Sequence, residues 1–323
     1  MKDNPSLTGL VEGAPFNNKE AQGPAGRRAF WLTTDDDIRL RAGLWQSNTS
    51  TKGTILLFPG RTEYIEMYGL KAKEFDHEGY ATFAIDWRGQ GASQRLCDDP
   101  LLGHIGQFSD FQKDVDAMLE AAKDLELPKP WFLVGHSMGA CIGLRAMLNG
   151  LEVKAAAFVS PMWFIKMSPL ERAVAWPVAW LAKAIGKAQM RVPGFQRDTY
   201  VLTHEFEGNK MTNDPEMYHH WVKLAQVLKE LPIGGPSMGW LIEAMKECQS
   251  LSQERLPDIP CSVYCGDQDQ DIDANLVKGR MADWPKGHYH LFPDSKHELF
   301  FEKPVVRNTM VSTMFDFFDA VHH

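Results

Sequence analysis

The chain has 323 residues, 44% hydrophobic and 24% charged, the proportions of an ordinary folded protein with a sizeable core. Its net charge of -8 excludes phosphate-backbone binding as the main activity, because nucleic-acid affinity rests on clustered Lys and Arg. Five scattered cysteines (Cys97, Cys141, Cys248, Cys261, Cys265) suit reduced thiols and a cytoplasmic location; Cys261 and Cys265 share a predicted strand, have no Cys or His partners at zinc spacing, and read as buried apolar residues.

Residues 1–28 are polar and rich in Gly, Pro and Asn, and are expected to be a flexible segment with neither a signal-peptide core nor a membrane span. Next, Phe30–Leu32 and Ile38–Trp45 flank the turn-like Asp35-Asp36-Asp37, which predicts an antiparallel hairpin at a sheet edge. From Thr54 onward short apolar strands alternate with amphipathic helices, the pattern of a mostly parallel sheet with helices on both faces. The strands are expected at Thr54–Phe58, Ala81–Ile85, Trp131–Val134, Ala155–Val159, Cys261–Cys265 and His288–Phe292. Phe108, Phe111, Val115, Met118, Leu119 and Ala122 recur at helical spacing, as do Val306, Met310, Met314, Phe317 and Val321. The alternation stops between Pro161 and Pro260, a helical stretch rich in Trp and Met and broken by Pro and Gly. The organisation read from this is an α/β core over 29–160 and 261–323, with 161–260 inserted as a helical cap over the carboxyl ends of the strands.

Gly135-His136-Ser137-Met138-Gly139 follows the apolar run Trp131–Val134 and opens a small-residue helix. A serine on such a strand-turn-helix is held in strained backbone geometry with its hydroxyl projecting above the sheet. It becomes a nucleophile only when a histidine takes its proton and an acid fixes that histidine. His297 lies just past the last predicted strand, and Asp267, Asp269, Asp271 and Asp273 lie just past the one before, on the same sheet edge as Ser137. Asp269 is the preferred acid, with Asp267 and Asp271 as alternatives and Asp273 placed to cap the next helix. Oxyanion donors are expected from the backbone N–H of Met138 and from Phe58–Glu63, where Arg61 follows Gly60. Loop Asp86–Gly91 reads as a tight structural turn with Arg88 pairing locally.

Pro59-Gly60-Arg61-Thr62-Glu63, Asp86-Trp87-Arg88-Gly89-Gln90-Gly91-Ala92-Ser93, Gly135–Gly139, Gly266-Asp267-Gln268-Asp269 and Ser295-Lys296-His297 together resemble the monoacylglycerol-lipase and lysophospholipase branch of the α/β-hydrolases. Asp99–His104 and Gly234–Trp240 are similar to the bacterial lysophospholipases of that branch. The resemblance implies an α/β-hydrolase fold and a serine esterase without metal or organic cofactor. It also implies a triad of Ser137, Asp269 and His297, with Arg61 and Met138 N–H groups as the oxyanion hole. One departure is Pro59-Gly60 where many members carry His-Gly.

The implied substrate is a small single-chain lipid ester. The apolar stretch from Leu170 to Ile185 reads as a lid lined for an acyl chain or for peripheral contact with a membrane, with Trp176, Trp180 and Trp240 as substrate-binding candidates. A proline-iminopeptidase-like peptidase is the alternative enzyme, with Glu205, Glu207 and Asp214 available for a substrate amine. A hydrolase-fold binding protein without chemistry is the alternative from another class. Oligomeric state is not legible in the sequence.

Overall fold

The computed structural model describes residues 9–48 and 50–322. In chain order the elements are β1 (Val11–Glu12), α1 (Asn18–Ala21), β2 (Arg27–Thr33), β3 (Arg39–Trp45), β4 (Gly53–Phe58), α2 (Gly69–His77), β5 (Tyr80–Asp86), α3 (Asp110–Asp124), β6 (Trp131–His136), α4 (Met138–Leu148) and β7 (Ala156–Val159). Four helices follow, α5 (Pro169–Ala184), α6 (Tyr200–Thr203), α7 (Pro215–Val227) and α8 (Met238–Gln253), before β8 (Cys261–Gly266), α9 (Ala274–Ala282), β9 (Gly287–Phe292) and α10 (Pro304–His322).

The strands form one nine-stranded sheet in the order β1-β2-β3-β5-β4-β6-β7-β8-β9. β1, β2, β3 and β5 pair antiparallel in succession, and every pair from β5 through β4 to β9 is parallel. The parallel strands β4 to β8 are buried along their whole length because both their faces are covered, whereas the edge strand β9 is partly exposed and carries His288 and His290. On β4, Leu56 and Phe58 join α3, α4 and α9 on one side of the sheet, while Ile55 and Leu57 join α2 and α10 on the other. Each such large side chain, wholly withdrawn from water, contributes about 1.5–3 kcal/mol.

The chain between β7 and β8 is tied into both of these clusters. Trp221 and Leu224 of α7 pack with the α2 and α10 side, and Ala244 and Leu251 of α8 with the α4 side. Only α5 stands apart, resting Ala179 and Ala182 on Met238 and Ile242 of α8.

Three expectations are corrected. The N-terminal segment is not loose over its described part: β1 pairs with β2, Asn17 caps α1, and Glu20 and Ala21 are buried. Residues 1–8 of that segment lie outside the described residues. What its polar composition concealed is the wholly buried Arg41, which donates to Glu66 and Asp86 at 2.7 Å and also to the Pro15 carbonyl at 2.9 Å. The hairpin of β2 and β3 is not at the sheet edge, since β1 lies outside it and β3 is joined to β5. Arg88 pairs across the fold rather than locally, with buried Asp114 of α3 at 2.7 Å and with Asp36 of the hairpin turn at 2.8 Å. A buried guanidinium needs its charge matched, and the turn itself has no carboxylate free to do so. Among the described residues no helix is long and apolar enough to cross a membrane.

Candidate active site

Ser137 is the hinge between β6 and α4. Its backbone has φ +48° and ψ -114°, a conformation costing a non-glycine residue on the order of 1–3 kcal/mol. The surroundings hold it there: Ser137 N–H donates to Val159 at 3.0 Å, and its carbonyl accepts from Met162 N–H at 3.0 Å. The flanking glycines have distinct steric causes. A Cβ at Gly135 would lie 2.9 Å from the Ala140 Cα, and one at Gly139 would collide with the carbonyls of Phe58 and Pro59 at the end of β4.

The His297 Nε2 lies 2.9 Å from Ser137 Oγ, and its Nδ1 lies 2.7 Å from Asp269 Oδ2. Three loops, after β6, β8 and β9, thus bring their side chains to one point at the carboxyl edge of the sheet, where ligands of such sheets bind. Asp269 and His297 are buried. Burial disfavours the Asp269 carboxylate, but His297 and the N–H groups of Ile272 and Asp271 outweigh it and hold its pKa below the ordinary 3.8. Burial likewise opposes a charged His297, and the Asp269 carboxylate overrides it, raising the imidazole above its ordinary 6.5. The neighbouring aspartates are occupied elsewhere. Asp267 accepts from Ser295 N–H at 3.3 Å, Asp271 pairs with Lys210 at 2.5 Å, and Asp273 caps α9 through Asn275 and Leu276.

Arg61 and Met138, the expected oxyanion donors, stand at the end of β4 and the first turn of α4. Among the described residues neither N–H donates to another group. The loop carrying Arg61 is braced by residues whose part the sequence did not disclose. Trp87 Nε1 donates to the Pro59 carbonyl at 2.8 Å, and Gln90 accepts from Thr62 N–H at 2.5 Å, so the Asp86–Gly91 turn supports this loop.

Glu63 accepts from Gly60 N–H and Tyr68 Oη, and its other oxygen lies 2.7 Å from His136 Nδ1. The opposite ring nitrogen of His136 lies 3.6 Å from Glu298. Burial opposes a charged His136, but the two carboxylates prevail and raise it to about 10, while burial raises Glu298 to about 7. Glu63, His136 and Glu298 have the ligand types for a metal ion within 4.8 Å of one another. Their arrangement sets the His136 imidazole between two buried carboxyl groups. Its signal lay inside the two quoted motifs, as the histidine before Ser137 and the glutamate after Thr62. Ser160 was also missed; its Oγ donates to the His297 carbonyl at 2.6 Å.

Ser137 and His297 open into a cavity of about 930 Å³ walled by Leu170, Val174, Val178, Phe195, Met238, Trp240 and Leu241, with Arg61, Lys166 and Lys210 among its polar members. That is the size and character of a small-molecule cleft. The three tryptophans expected to touch substrate separate: Trp240 lines this cavity, Trp176 lines a neighbouring crevice with Met245, and Trp180 is 63% exposed on the outer side of α5. Helix α5 is apolar around much of its circumference, so periodicity alone did not reveal which face turned inward. Of the acids named for a peptide amine, Asp214 caps α7 and pairs with Arg307 at 2.9 Å, while Glu205 and Glu207 are exposed; none lines the cavity.

Residues 49–304 match the family described as serine aminopeptidase, S33. The chain is 24% identical over 315 residues to lysophospholipase L2 of Escherichia coli K12, covering 90% of this chain and 89% of the relative. It is 25% identical over 281 residues to a monoacylglycerol lipase of Mycolicibacterium smegmatis, covering 82% and 88%. Its fold matches that of a soluble variant of monoglyceride lipase from Saccharomyces cerevisiae in complex with a substrate analog, with a TM-score of 0.70, 21% identity, and 90% and 94% of the two chains covered. A thermostable carboxyl esterase from Bacillus coagulans in complex with glycerol matches with a TM-score of 0.73, 14% identity, and 93% and 100% covered. A mostly parallel sheet with a strained serine at the end of β6, and a family match across most of the chain, lead to one conclusion: the chain belongs to the serine aminopeptidase S33 family and is a serine hydrolase of the α/β-hydrolase fold.

Proposed function

We propose that the protein hydrolyses single-chain lipid esters, lysophospholipids or monoacylglycerols, through an acyl-enzyme on Ser137. The observation that carries this is the chain of hydrogen bonds from Asp269 through His297 to Ser137, at 2.7 and 2.9 Å, ending in a largely apolar cavity. The names of the relatives support the same substrate class.

His297 Nε2 takes the proton from Ser137 Oγ as that oxygen attacks the ester carbonyl, and the Asp269 carboxylate stabilises the imidazolium that forms. The carbonyl oxygen, now an anion, accepts hydrogen bonds from Arg61 and Met138 N–H. Collapse of the tetrahedral intermediate breaks the ester bond, and the departing alcohol leaves with the proton held by His297. A water molecule, deprotonated by the same histidine, attacks the acyl-enzyme and releases the fatty acid.

The segment over 161–260 serves as the cap, and the outer face of α5 rests on the membrane that supplies the substrate. Ser137→Ala tests the reading. Turnover of p-nitrophenyl butyrate and labelling by a fluorophosphonate probe should both disappear, and undiminished turnover would refute it.

The family description favours a second reading, an aminopeptidase of the same triad. Glu205, Glu207 and Asp214 lie outside the cavity wall, and of the acids within it Glu63 and Glu298 face His136 and Asp271 is bound to Lys210, which leaves Asp198 as the one described wall acid without a cationic partner to meet a substrate amine. Comparing proline naphthylamide with palmitoylglycerol as substrates separates the two.

A further inference from the structure

Arg61 has a side chain that the proposed chemistry leaves unused. Its guanidinium enters the cavity that holds Ser137 and is fixed there: Nη1 donates to the Gly234 carbonyl at 2.9 Å, and the group lies 5.4 Å from the Trp240 ring. Gly103 makes room for it, since a Cβ there would stand 3.3 Å from Nη1. A guanidinium has five N–H donors. One of them is used by a described residue, and no carboxylate among the described residues lies within ion-pair distance.

The acids in the cavity wall are committed to other groups. Glu63 and Glu298 face His136, and Asp271 is bound to Lys210. Asp198 is exposed to water. Of the other two cations, Lys210 is neutralised by Asp271, and Lys166 is exposed with its Nζ on the Asp269 carbonyl at 2.8 Å. Burial draws the Arg61 pKa down to about 10, with Asp271 opposing, so the group stays charged at neutral pH. A half-buried cation without a counter-ion is costly for the fold, and its cost is offset when an anion arrives with the ligand.

We infer that the Arg61 guanidinium binds the phosphate of a lysophospholipid head group and so favours that substrate over an uncharged monoacylglycerol. The inference rests on the lipid-ester reading above. Arg61 also supplies the backbone N–H assigned to the oxyanion, so its side chain starts one residue's length from the scissile carbonyl. In a lysophospholipid the phosphate is attached to the glycerol on the alcohol side of that ester. A planar fork suits two phosphate oxygens at once, which a lysine cannot match.

The test compares kcat/KM for palmitoyl lysophosphatidylglycerol with that for palmitoylglycerol, which share the acyl chain and the ester and differ in the phosphate. Arg61→Met should lower the ratio of the first to the second by about tenfold or more. Arg61→Lys should recover part of the loss. Fluorophosphonate labelling that reaches completion, at whatever rate, shows that the variant site is assembled, and the ratio cancels any change common to the two substrates.

A second arm uses the unaltered protein. Glycerol phosphate should compete with p-nitrophenyl butyrate where glycerol does not, and added salt should weaken that competition. An unmoved ratio in a labelling-competent Arg61→Met, or equal inhibition by glycerol and glycerol phosphate, overturns the head-group role alone. Wild-type protein that cleaves p-nitrophenyl butyrate but neither lipid overturns the substrate reading, and the head-group role with it.

Discussion

Within the acidic loop after β8, the carboxylate at 269 differs from its neighbours in what it touches. Asp269 offers one oxygen to His297 and the other to the N–H groups of Asp271 and Ile272, so both its position and its charge are held by the loop's own backbone. Asp269→Asn keeps that shape while presenting an amide to the imidazole, which favours the wrong tautomer. The expected loss in kcat on p-nitrophenyl butyrate is about 10³–10⁴-fold. Asp267→Asn, whose partner is the Ser295 N–H, should stay within about threefold. The pH profile gives a second readout. In the role proposed for it His297 accepts a proton only when neutral, so the acid limb of kcat/KM should fall above the ordinary 6.5, because Asp269 raises the imidazole against the effect of burial. Without that carboxylate burial dominates, and in Asp269→Asn the limb should move to lower pH. A limb that stays in place would reassign the acid.

The elements that carry the site meet closely where α4 passes β4. Gly139 sits under the carbonyls of Phe58 and Pro59, atoms of the backbone that leads into the Arg61 loop. Because those atoms cannot rotate aside, Gly139→Ala must push α4 away from the sheet. The expected cost is about 1–3 kcal/mol by urea unfolding, together with a fall in kcat as Ser137 shifts from His297. Loss of activity at full stability would show that the helix had moved without strain, contrary to this packing. Five of the six parallel strands, β4 to β8, were legible because burial on both faces leaves mainly apolar runs, and the position of Ser137 was legible because the elbow needs small residues at fixed offsets. The two-residue β1 carries no periodicity to read. The partners of Arg41 and Arg88 were hidden for another reason: ion pairs spanning 25 to 52 residues depend on strand order, which local pattern does not contain. The same holds for His136, whose carboxylates come from the loops after β4 and β9.

Across the whole molecule, most of the chain between β7 and β8 is packed into the two faces of the core, and α5 is the exception. It rests on α8 through Ala179, Ala182 and the partly buried Trp176, helped by Lys183 bonded to Glu243 at 2.7 Å, and turns several other large side chains outward. Leu170, Val174, Trp180, Leu181 and Ile185 are each more than half exposed, and Leu170 and Val174 also line the cavity above Ser137. Apart from the partly buried Trp176, the residues turned inward are small, and a run of large apolar residues faces outward, an arrangement that calls for an apolar phase on the outer side. A lipid surface in that place would put the mouth of the cavity at the source of substrate. Trp180, Leu181 and Ile185 lie outside the Ser137 cavity, so changing all three to serine separates surface contact from chemistry. Flotation with vesicles containing palmitoylglycerol should show binding reduced about tenfold or more, since even partial insertion of three such side chains amounts to well over 1.4 kcal/mol. Hydrolysis of p-nitrophenyl butyrate, which is delivered from water, should remain within about twofold. Equal vesicle binding by the variant and the original protein would remove α5 from any membrane role and leave its exposed face to be explained by contact with another protein surface.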